Sequence, residues 1–557
     1  MDDSAATVGE ATPVLGPAAA GAVTAADATT AGPGGSTART LARAGLIVTF
    51  AFLLSRILGY VRYVVIANAV PVGPELDAFF AAFRIPDFLF QLVAAGALSS
   101  ALIPVVAALF ATDEEARAWR VVSTVTTLML GALLVLAAIV LAAAPQLVPP
   151  ITPGFDEASV ARTVELTRIM VLSPLFLAAG AVATSVLNAR GRFGAAAMAP
   201  LVYNLAIIGG AVLLVPAFGV TGLALGVVAG AIGHVLVQLP ALRRVGARIR
   251  PRIRLDDPEA RRALFLMAPR AIGLGSTQLV FIVMTGLASS LEPGSISVFN
   301  FAFAVLQIPI GVIGVPLGVV LLPSLSREAA TGGVEAFRRL LVGGLGMLAW
   351  VMIAIAALGI VVAEDVTRLL FGYGSIGEDA LERTALTLAV FLVGLTAHSL
   401  IAVVARAFYA HQDTATPVAA ALVAVGSNIV LGIVLVGPLG LTGLAAAIAA
   451  SAWLELATLV LLLRRRLPGL GLGHVGGVMA RSAIASALGA AVALGVTQLL
   501  LASWGESPGV IALLLRAGLA VAAGGAVIVA GSLALRTEEP RRIVGVVVDL
   551  LRRRGRA

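Results

Sequence analysis

Four charged residues stand where hydrocarbon is expected. Arg56 and Arg62 lie inside the first long apolar stretch, and the segment DAFFAAFRIP (77 to 86) adds Asp77 and Arg84. An arginine near the centre of a bilayer costs about 2.5 to 3.5 kcal/mol on insertion scales, so such side chains face a watery cavity or a bound anion rather than lipid. Their forked guanidinium groups suit phosphate, which they can hold through two parallel hydrogen bonds. On an ideal helix Arg56 and Arg62 are about 9 Å apart along the axis and about 120° apart around it, so they share a cavity only if it is wide. Asp77 and Arg84 are two turns apart on nearly one face and are expected to look into the same space. The competing explanation is snorkelling to headgroups or mutual pairing. Against it, Arg56 lies about 18 Å of helical rise beyond Arg43, too deep for easy escape.

Other polar residues in apolar segments carry weaker signals. Gln278, Asn428, His398 and Glu455, like His234 and Asn204, are usually explained by hydrogen bonds between helices. A polar-cavity or coupling role is the alternative, including a proton relay through His398 or Glu455. No zinc-binding HExxH, phosphate-cradling glycine loop or cluster of aspartates is present, so no catalytic residues, metal site or cofactor are expected. The acids of GEDALER (377 to 383) read as a solvated face. With no cysteine, disulfides and thiolate chemistry are excluded. The chain is expected not to be an enzyme, and nothing points to nucleic acid.

The elements that position these residues follow from composition. Hydrophobic residues make up 59% of the chain, charged residues 12%, and the mean hydropathy is +1.03. A soluble domain carries roughly 25% charge, so a soluble reading fails. Fourteen apolar segments of spanning length are expected. They fall near 45–68, 78–110, 120–144, 162–188, 196–217, 219–242, 263–290, 296–323, 337–363, 383–409, 416–437, 441–463, 476–502 and 508–535. Basic loops alternate with acidic ones. Arg39, Arg43, Arg190, Arg192, the run Arg243 to Arg254, Arg338, Arg339 and Arg464 to Arg466 fall on one side of a fourteen-span layout. Glu75, Asp156, Glu157, Glu292, Glu364, Asp365 and Glu506 fall on the other. The positive-inside rule then places both termini in the cytoplasm.

The chain also repeats itself at an offset of roughly 220 residues. ALIPVVAALFA (101 to 111) returns in character as VLLPSLSREAA (320 to 330), AAFRIP (81 to 86) as AVLQIP (304 to 309), and TGLALG (221 to 226) as TGLAAA (442 to 447). Two six-helix units of like orientation are implied, with a cavity between them. The expected organisation is a disordered cytoplasmic tail (1–42), an N-terminal lobe (43–242), a basic cytoplasmic loop (243–262) and a C-terminal lobe (263–466). Two additional helices (467–536) and a basic amphipathic tail (537–557) complete it. Pro86, Pro104, Pro309, Pro316 and Pro323 mark spans two and eight as bent.

Several ordered segments resemble one family. SRILGYVR (55 to 62), LDAFFAAFRIPDFL (76 to 89), AAGALSSALIP (94 to 104), LNARGRFGAAAMAPLVYN (187 to 204), GLALGVVAGA (222 to 231), GVIGVPLGVVLLPSLSR (311 to 327) and RAFYAHQDTATP (406 to 417) resemble the MurJ/MviN lipid II flippases, within the multidrug and polysaccharide exporter superfamily. The resemblance implies an all-α polytopic membrane protein of about fourteen transmembrane helices. It implies two six-helix MATE-like lobes, with 476–502 and 508–535 forming a groove for an isoprenoid tail. It implies transport of the undecaprenyl-pyrophosphate-linked peptidoglycan precursor, lipid II, across the bacterial plasma membrane by alternating access, with cell-wall synthesis proteins as partners. Arg56 and Arg62 match two cavity arginines, Asp77 the acid of the DAFF motif, and Arg84 a basic residue. Phe90, Ala95, Met284, Phe303 and Ala304 stand where other members carry ionisable residues. The alternatives are another undecaprenyl-linked glycan as cargo, or a MATE-type drug antiporter, which a positively charged cavity disfavours.

Overall fold

The computed structural model describes residues 53–95, 97–467, 469–504 and 509–541. The expected tail 1–42, and all but the start of the expected tail 537–557, lie outside these residues. Twenty helices are described: α1 (53–69), α2 (Pro74–Phe90), α3 (Ala97–Ala111), α4 (Glu115–Ile151), α5 (Glu157–Met170), α6 (Ser173–Ala189), α7 (Phe193–Gly209), α8 (Val215–Phe218), α9 (Val220–Leu236), α10 (Leu239–Arg244), α11 (Pro258–Ser289), α12 (Ser295–Pro309), α13 (Val315–Thr331), α14 (Val334–Val361), α15 (Ala363–Phe371), α16 (Glu378–Val393), α17 (Leu395–Ala410), α18 (Ala415–Arg466), α19 (Leu472–Trp504) and α20 (Val510–Ala534). The chain is thus an all-α, multi-pass membrane protein. Nine described helical stretches are long and apolar enough to span a bilayer, or ten when the bent pair α16 and α17 counts as one. The 52-residue α18 covers two expected segments, 416–437 and 441–463, as two helical stretches that meet at a kink where Gly440 has non-helical backbone angles, φ 57° and ψ -134°.

Three five-residue π turns interrupt these helices, at Gln91–Ala95, Gly210–Leu214 and Ile310–Gly314. Two fall in spans two and eight, where prolines already remove backbone donors. Backbone turns also carry the internal duplication. Asp113 and Gly332, Gly191 and Gln412, Gly219 and Gly440, and Gly246 and Gly469 all have φ between 56° and 82°. Each pair keeps the roughly 220-residue offset of the sequence motifs. A left-handed residue that closes one helix and opens the next is costly away from glycine, so four matched occurrences are a specific sign of repetition.

The chain divides into two compact units after Ser297. Helix α11, which the duplication assigns to the second lobe, packs in the first unit against α2, α3 and α4. In that unit Asp156 caps α5 by accepting from the Ser159 amide at 3.0 Å, and Asp257 caps α11 through the Glu259 amide at 3.0 Å, with Pro258 as first helical residue. Charged loops sort by end. Arg117 pairs with Asp257 at 3.5 Å, Arg190 pairs with Glu115, and Ser123 bonds the backbone of Arg250 at 3.1 Å, which gathers the basic turns at one end. Glu75 and Arg162 pair at 3.0 Å at the other end. In the second unit Arg466 pairs with Asp413, and Arg338 bonds the Gly469 carbonyl at 3.2 Å.

The two helices beyond the duplication are built into the second unit. Helices α19 and α20 pack on each other, and on α14 and α15. They approach backbone to backbone: a Cβ on Gly489 would press on the Gly524 carbonyl, and one on Gly524 would lie 2.7 Å from the Gly489 carbonyl oxygen. Small residues at such crossings let membrane helices gain dispersion contact that larger ones block. Leu358, Val362, Ala493, Ala520 and Ile528 form the buried apolar centre of this layer. Trp350 donates to the Ser532 hydroxyl at 2.9 Å across it.

Candidate functional site

The site lies within the first unit and starts from Arg84. Arg84 and Asp87 of α2 and Gln91 of the π turn that continues it follow one another at spacings of three and four residues, which places them along one stripe. Arg84 donates from Nε to the Thr285 hydroxyl of α11 at 2.8 Å, and its guanidinium lies 5.4 Å from the centre of the Phe281 ring. One turn on, the Asp87 carboxylate is hydrogen-bonded by the amides of Gln91 and Gln278 and lies in the field of Arg84 and Arg62. Tyr203 of α7 faces the same charges of Arg62 and Asp87, and its buried hydroxyl has no hydrogen-bond partner among the described residues. Four elements therefore converge: α1, α2 with its π turn, α7 and α11. Asn204 helps fix α7 against α1 by donating to the Pro200 and Ser55 carbonyls, at 3.0 and 3.5 Å.

Arg62, Arg84 and Gln278 are thus brought together, around an acid the sequence reading did not single out. Asp87 stood inside the quoted motif, and its three-residue spacing from Arg84 was the available signal. Gln91, Tyr203 and Thr285 were also missed, because nothing in their local sequence ties them to Arg84. Arg56 is a separate neighbour on α1, half-buried and hydrogen-bonded with the Tyr60 hydroxyl.

Asp77 stands two turns before Arg84 on α2, and its carboxylate is occupied. It is 3% exposed and accepts from the Gly294 amide at 2.7 Å, the Ser297 amide at 2.8 Å and the Ser297 hydroxyl at 2.6 Å. The two amides are N–H groups at the start of α12, which a carboxylate satisfies well. Gly294 takes φ 90°, a backbone state that suits glycine at this turn. Asp77 is a staple between α2 and this turn.

The remaining polar candidates lie in the second unit. Asn428 is 7% exposed, and its Oδ1 lacks a hydrogen-bond partner among the described residues, as does the buried Nε2 of His398. Glu455 is half-buried on the later part of α18. A further buried arginine, Arg406 of α17, bonds the Ala402 carbonyl and lies against Gly318, where a Cβ would come within 2.6 Å of its Nη1. Among the described residues no cluster of three or more histidine, aspartate or glutamate side chains could hold a metal ion.

A multi-pass helical bundle with an internal duplication and arginine, aspartate and amide side chains gathered within one unit has the makings of a transporter-type membrane protein. Residues 66–514 match the family described as lipid II flippase MurJ, and the chain belongs to that family. It is 34% identical to the lipid II flippase MurJ of Burkholderia cenocepacia over 438 residues, which cover 76% of this chain and 84% of that one. To the probable lipid II flippase MurJ of Vibrio cholerae serotype O1 it is 33% identical over 436 residues, 75% and 82% of the two chains. In fold it is similar to a solved lipid II flippase MurJ in an inward closed conformation, with a TM-score of 0.71 over 88% of this chain and 99% of that one at 22% identity. An inward-facing multidrug resistance MATE family transporter matches at a TM-score of 0.62 over 75% and 95%, with 17% identity.

Proposed function

We propose that this chain carries lipid II, the undecaprenyl-diphosphate-linked precursor of peptidoglycan, from the cytoplasmic to the outer leaflet of the bacterial plasma membrane. Membership of the lipid II flippase family supports this reading. The single structural observation that carries it is the convergence of Arg62 and Arg84 with the amide of Gln278 inside a membrane-embedded unit. Diphosphate is the part of such a lipid that cannot enter hydrocarbon, and charge-assisted bonds from guanidinium groups replace the water it loses. The sugar and peptide need only a polar path, while the isoprenoid chain stays in lipid.

In this reading Arg56, Arg62 and Arg84 receive the diphosphate, and Asp77 acts by holding the turn at Gly294 to Ser297. The charge sorting of the loops supports cytoplasmic termini. The exposed apolar faces of α19 and α20, with Ile484, Leu488, Leu515 and Leu519 open to the surroundings, are the proposed bed of the isoprenoid tail. Transport then consists of exposing the cluster to each side of the membrane in turn. Coupling through Asn428, His398 or Glu455, and association with cell-wall synthesis proteins, belong to the same proposal.

The test is growth of bacteria depleted of their own lipid II flippase and supplied with this chain. Wild-type protein is expected to restore growth, and Arg62→Ala or Arg84→Ala at equal membrane abundance to abolish rescue. Failure of well-expressed wild-type protein would turn the assignment toward another lipid-linked glycan, and full rescue by both arginine variants would end the diphosphate reading.

A further inference from the structure

We infer that the groove between α5 and α9 binds one phospholipid with a phosphoethanolamine headgroup, its phosphate on Arg168 and its ammonium on Glu165. The groove holds about 470 Å³, and its lining includes Ile169, Leu172, Leu225 and Val228 beside the charged Glu165 and Arg168. Leu172 and Leu225 are 40% and 39% exposed, so the apolar wall opens to the surroundings of the bundle. None of the residues proposed to receive the diphosphate takes part.

Two helices set the depth of Arg168. The stretch Glu157–Ala189 has 33 residues, where hydrocarbon needs about 20. Counted back from Ala189, at the end where Arg190 pairs with Glu115, about 20 residues reach Ile169. Counted on from Arg120 along α4, the same length reaches Val140. Arg168 and Leu141 therefore both stand at the far boundary of the hydrocarbon, and they are bonded: Arg168 Nε donates to the Leu141 carbonyl at 3.1 Å. Pro145, four residues further on, has no N–H to give that carbonyl, so the arginine satisfies a group that lipid would leave bare. With Nε held in this way, the exposed Arg168 makes no further hydrogen bond or ion pair among the described residues, which leaves its two terminal nitrogens for a ligand.

The order of charges selects the headgroup. Glu165 stands three residues, about 4.5 Å of rise, nearer the membrane surface than Arg168. Its side chain is 53% exposed and pairs with Arg162 at 2.7 Å, while Arg162 also pairs with Glu75 at 3.0 Å. Two carboxylates share that one arginine, and Asp156 and Glu157 stand above them at the head of α5. The rim is therefore acidic, and Arg168 below it is basic. An ethanolamine phospholipid presents its charges in the matching order, with the ammonium outward of the phosphate. A guanidinium holds phosphate through charge-assisted bonds, and an ammonium offers three N–H donors to the rim. The acyl chains then run past Leu172 to Leu225 and Val228, about 8 and 12 Å of rise into α9. A glycerol headgroup would bring no cation to the rim acids, and the methyl groups of choline would put no N–H toward Glu165. In the orientation that the loop charges support, this lipid belongs to the outer leaflet.

The experiment uses the purified full chain, freed of lipid in detergent, and native mass spectrometry with phosphatidylethanolamine, phosphatidylglycerol and phosphatidylcholine of identical acyl chains. The wild-type chain is expected to hold one phosphatidylethanolamine about tenfold more tightly than either other lipid. Arg168→Gln should weaken that binding about tenfold or more, and Glu165→Gln should bring phosphatidylethanolamine and phosphatidylcholine to equal Kd. Both side chains are exposed, and the unfolding temperature of each variant checks that it is folded. Equal Kd for the three lipids in the wild-type chain overturns the inference whether or not a variant folds, as does an unchanged Kd for phosphatidylethanolamine in a folded Arg168→Gln. A wild-type preference for phosphatidylglycerol overturns it as well, since the acidic rim would then play no part in recognition.

Discussion

Two arginine and aspartate pairs sit inside this protein and do opposite things. In the second unit Arg516 of α20 and Asp365 of α15 are each 2% exposed. The Arg516 Nε lies 3.0 and 3.2 Å from the two carboxylate oxygens, and Nη2 bonds the first of them. The charge is spent internally, in a side-on pairing through Nε and Nη2 that ties α20 to α15. In the first unit Arg84 gives its Nε to a threonine hydroxyl, and Asp87 divides its hydrogen bonds between two glutamine amides. There the charge of Arg84 acts on Asp87 from one turn away. Burial and close pairing make a structural clamp, whereas in the proposed function the half-buried guanidinium groups of the first unit exchange neutral partners for an outside anion.

The largest expected effect breaks the clamp. Asp365→Ala leaves a buried, unpaired arginine and should destabilise the second unit by about 3 to 5 kcal/mol, read as a lower thermal unfolding temperature in detergent. The paired change Asp365→Leu with Arg516→Met removes both charges and should restore most of that loss. An unfolding temperature unmoved by Asp365→Ala would mean that the pair is not desolvated.

Next, Arg84→Ala should weaken binding of a diphosphate lipid by about 1.5 to 3 kcal/mol, roughly ten- to more than a hundredfold in Kd, with little change in unfolding temperature. A large stability loss at unchanged affinity would make Arg84 a second clamp and erase the contrast. The packing of α19 on α20 offers a middle-sized test. Gly489→Val puts a side chain where the Gly524 carbonyl lies and should cost about 1 to 3 kcal/mol of stability. Unchanged unfolding would show that these helices separate easily.

The smallest expected effect is at Asp413, in the turn before α18. Burial raises its carboxyl pKa, but hydrogen bonds from Thr416 and the charge of Arg466 outweigh that and hold it below the ordinary value. A depressed acid stabilises the fold above its unfolded pKa of about 3.9 and loses that contribution as pH falls through the lower, folded value. Arg466 is 55% exposed, so the gain is discounted to under about 1 kcal/mol. Asp413→Asn should flatten the acid limb of the unfolding temperature against pH by that small amount. An unaltered acid limb would place the acid sensitivity elsewhere.

Much of the architecture was legible because hydrocarbon imposes simple demands. Runs of about 20 apolar residues, arginine-rich loops and the paired motifs TGLALG and TGLAAA locate spans, sort their ends and mark the duplication without any knowledge of packing. The arginines of the site were legible for the same reason, since charge in a span is rare enough to stand out. Asp87 was harder to find, sitting in a run of aromatic and aliphatic residues where only its spacing from Arg84 connects it to chemistry.

Composition, hydropathy and charge placement by themselves determined that this chain is a polytopic helical membrane protein of two repeated halves with cationic residues inside a span. Those properties are local: each depends on one segment's transfer from water to lipid. Only the tertiary structure decided how the charges are partnered. It spent Asp77 on the amides of Gly294 and Ser297, sealed Arg516 against Asp365, and brought α11 to α2 so that Thr285 and Gln278 meet Arg84 and Asp87. The partners of a buried charge come from helices far apart in sequence, and hydrogen-bond geometry, which no spacing along one helix encodes, sets whether that charge clamps the fold or binds a ligand.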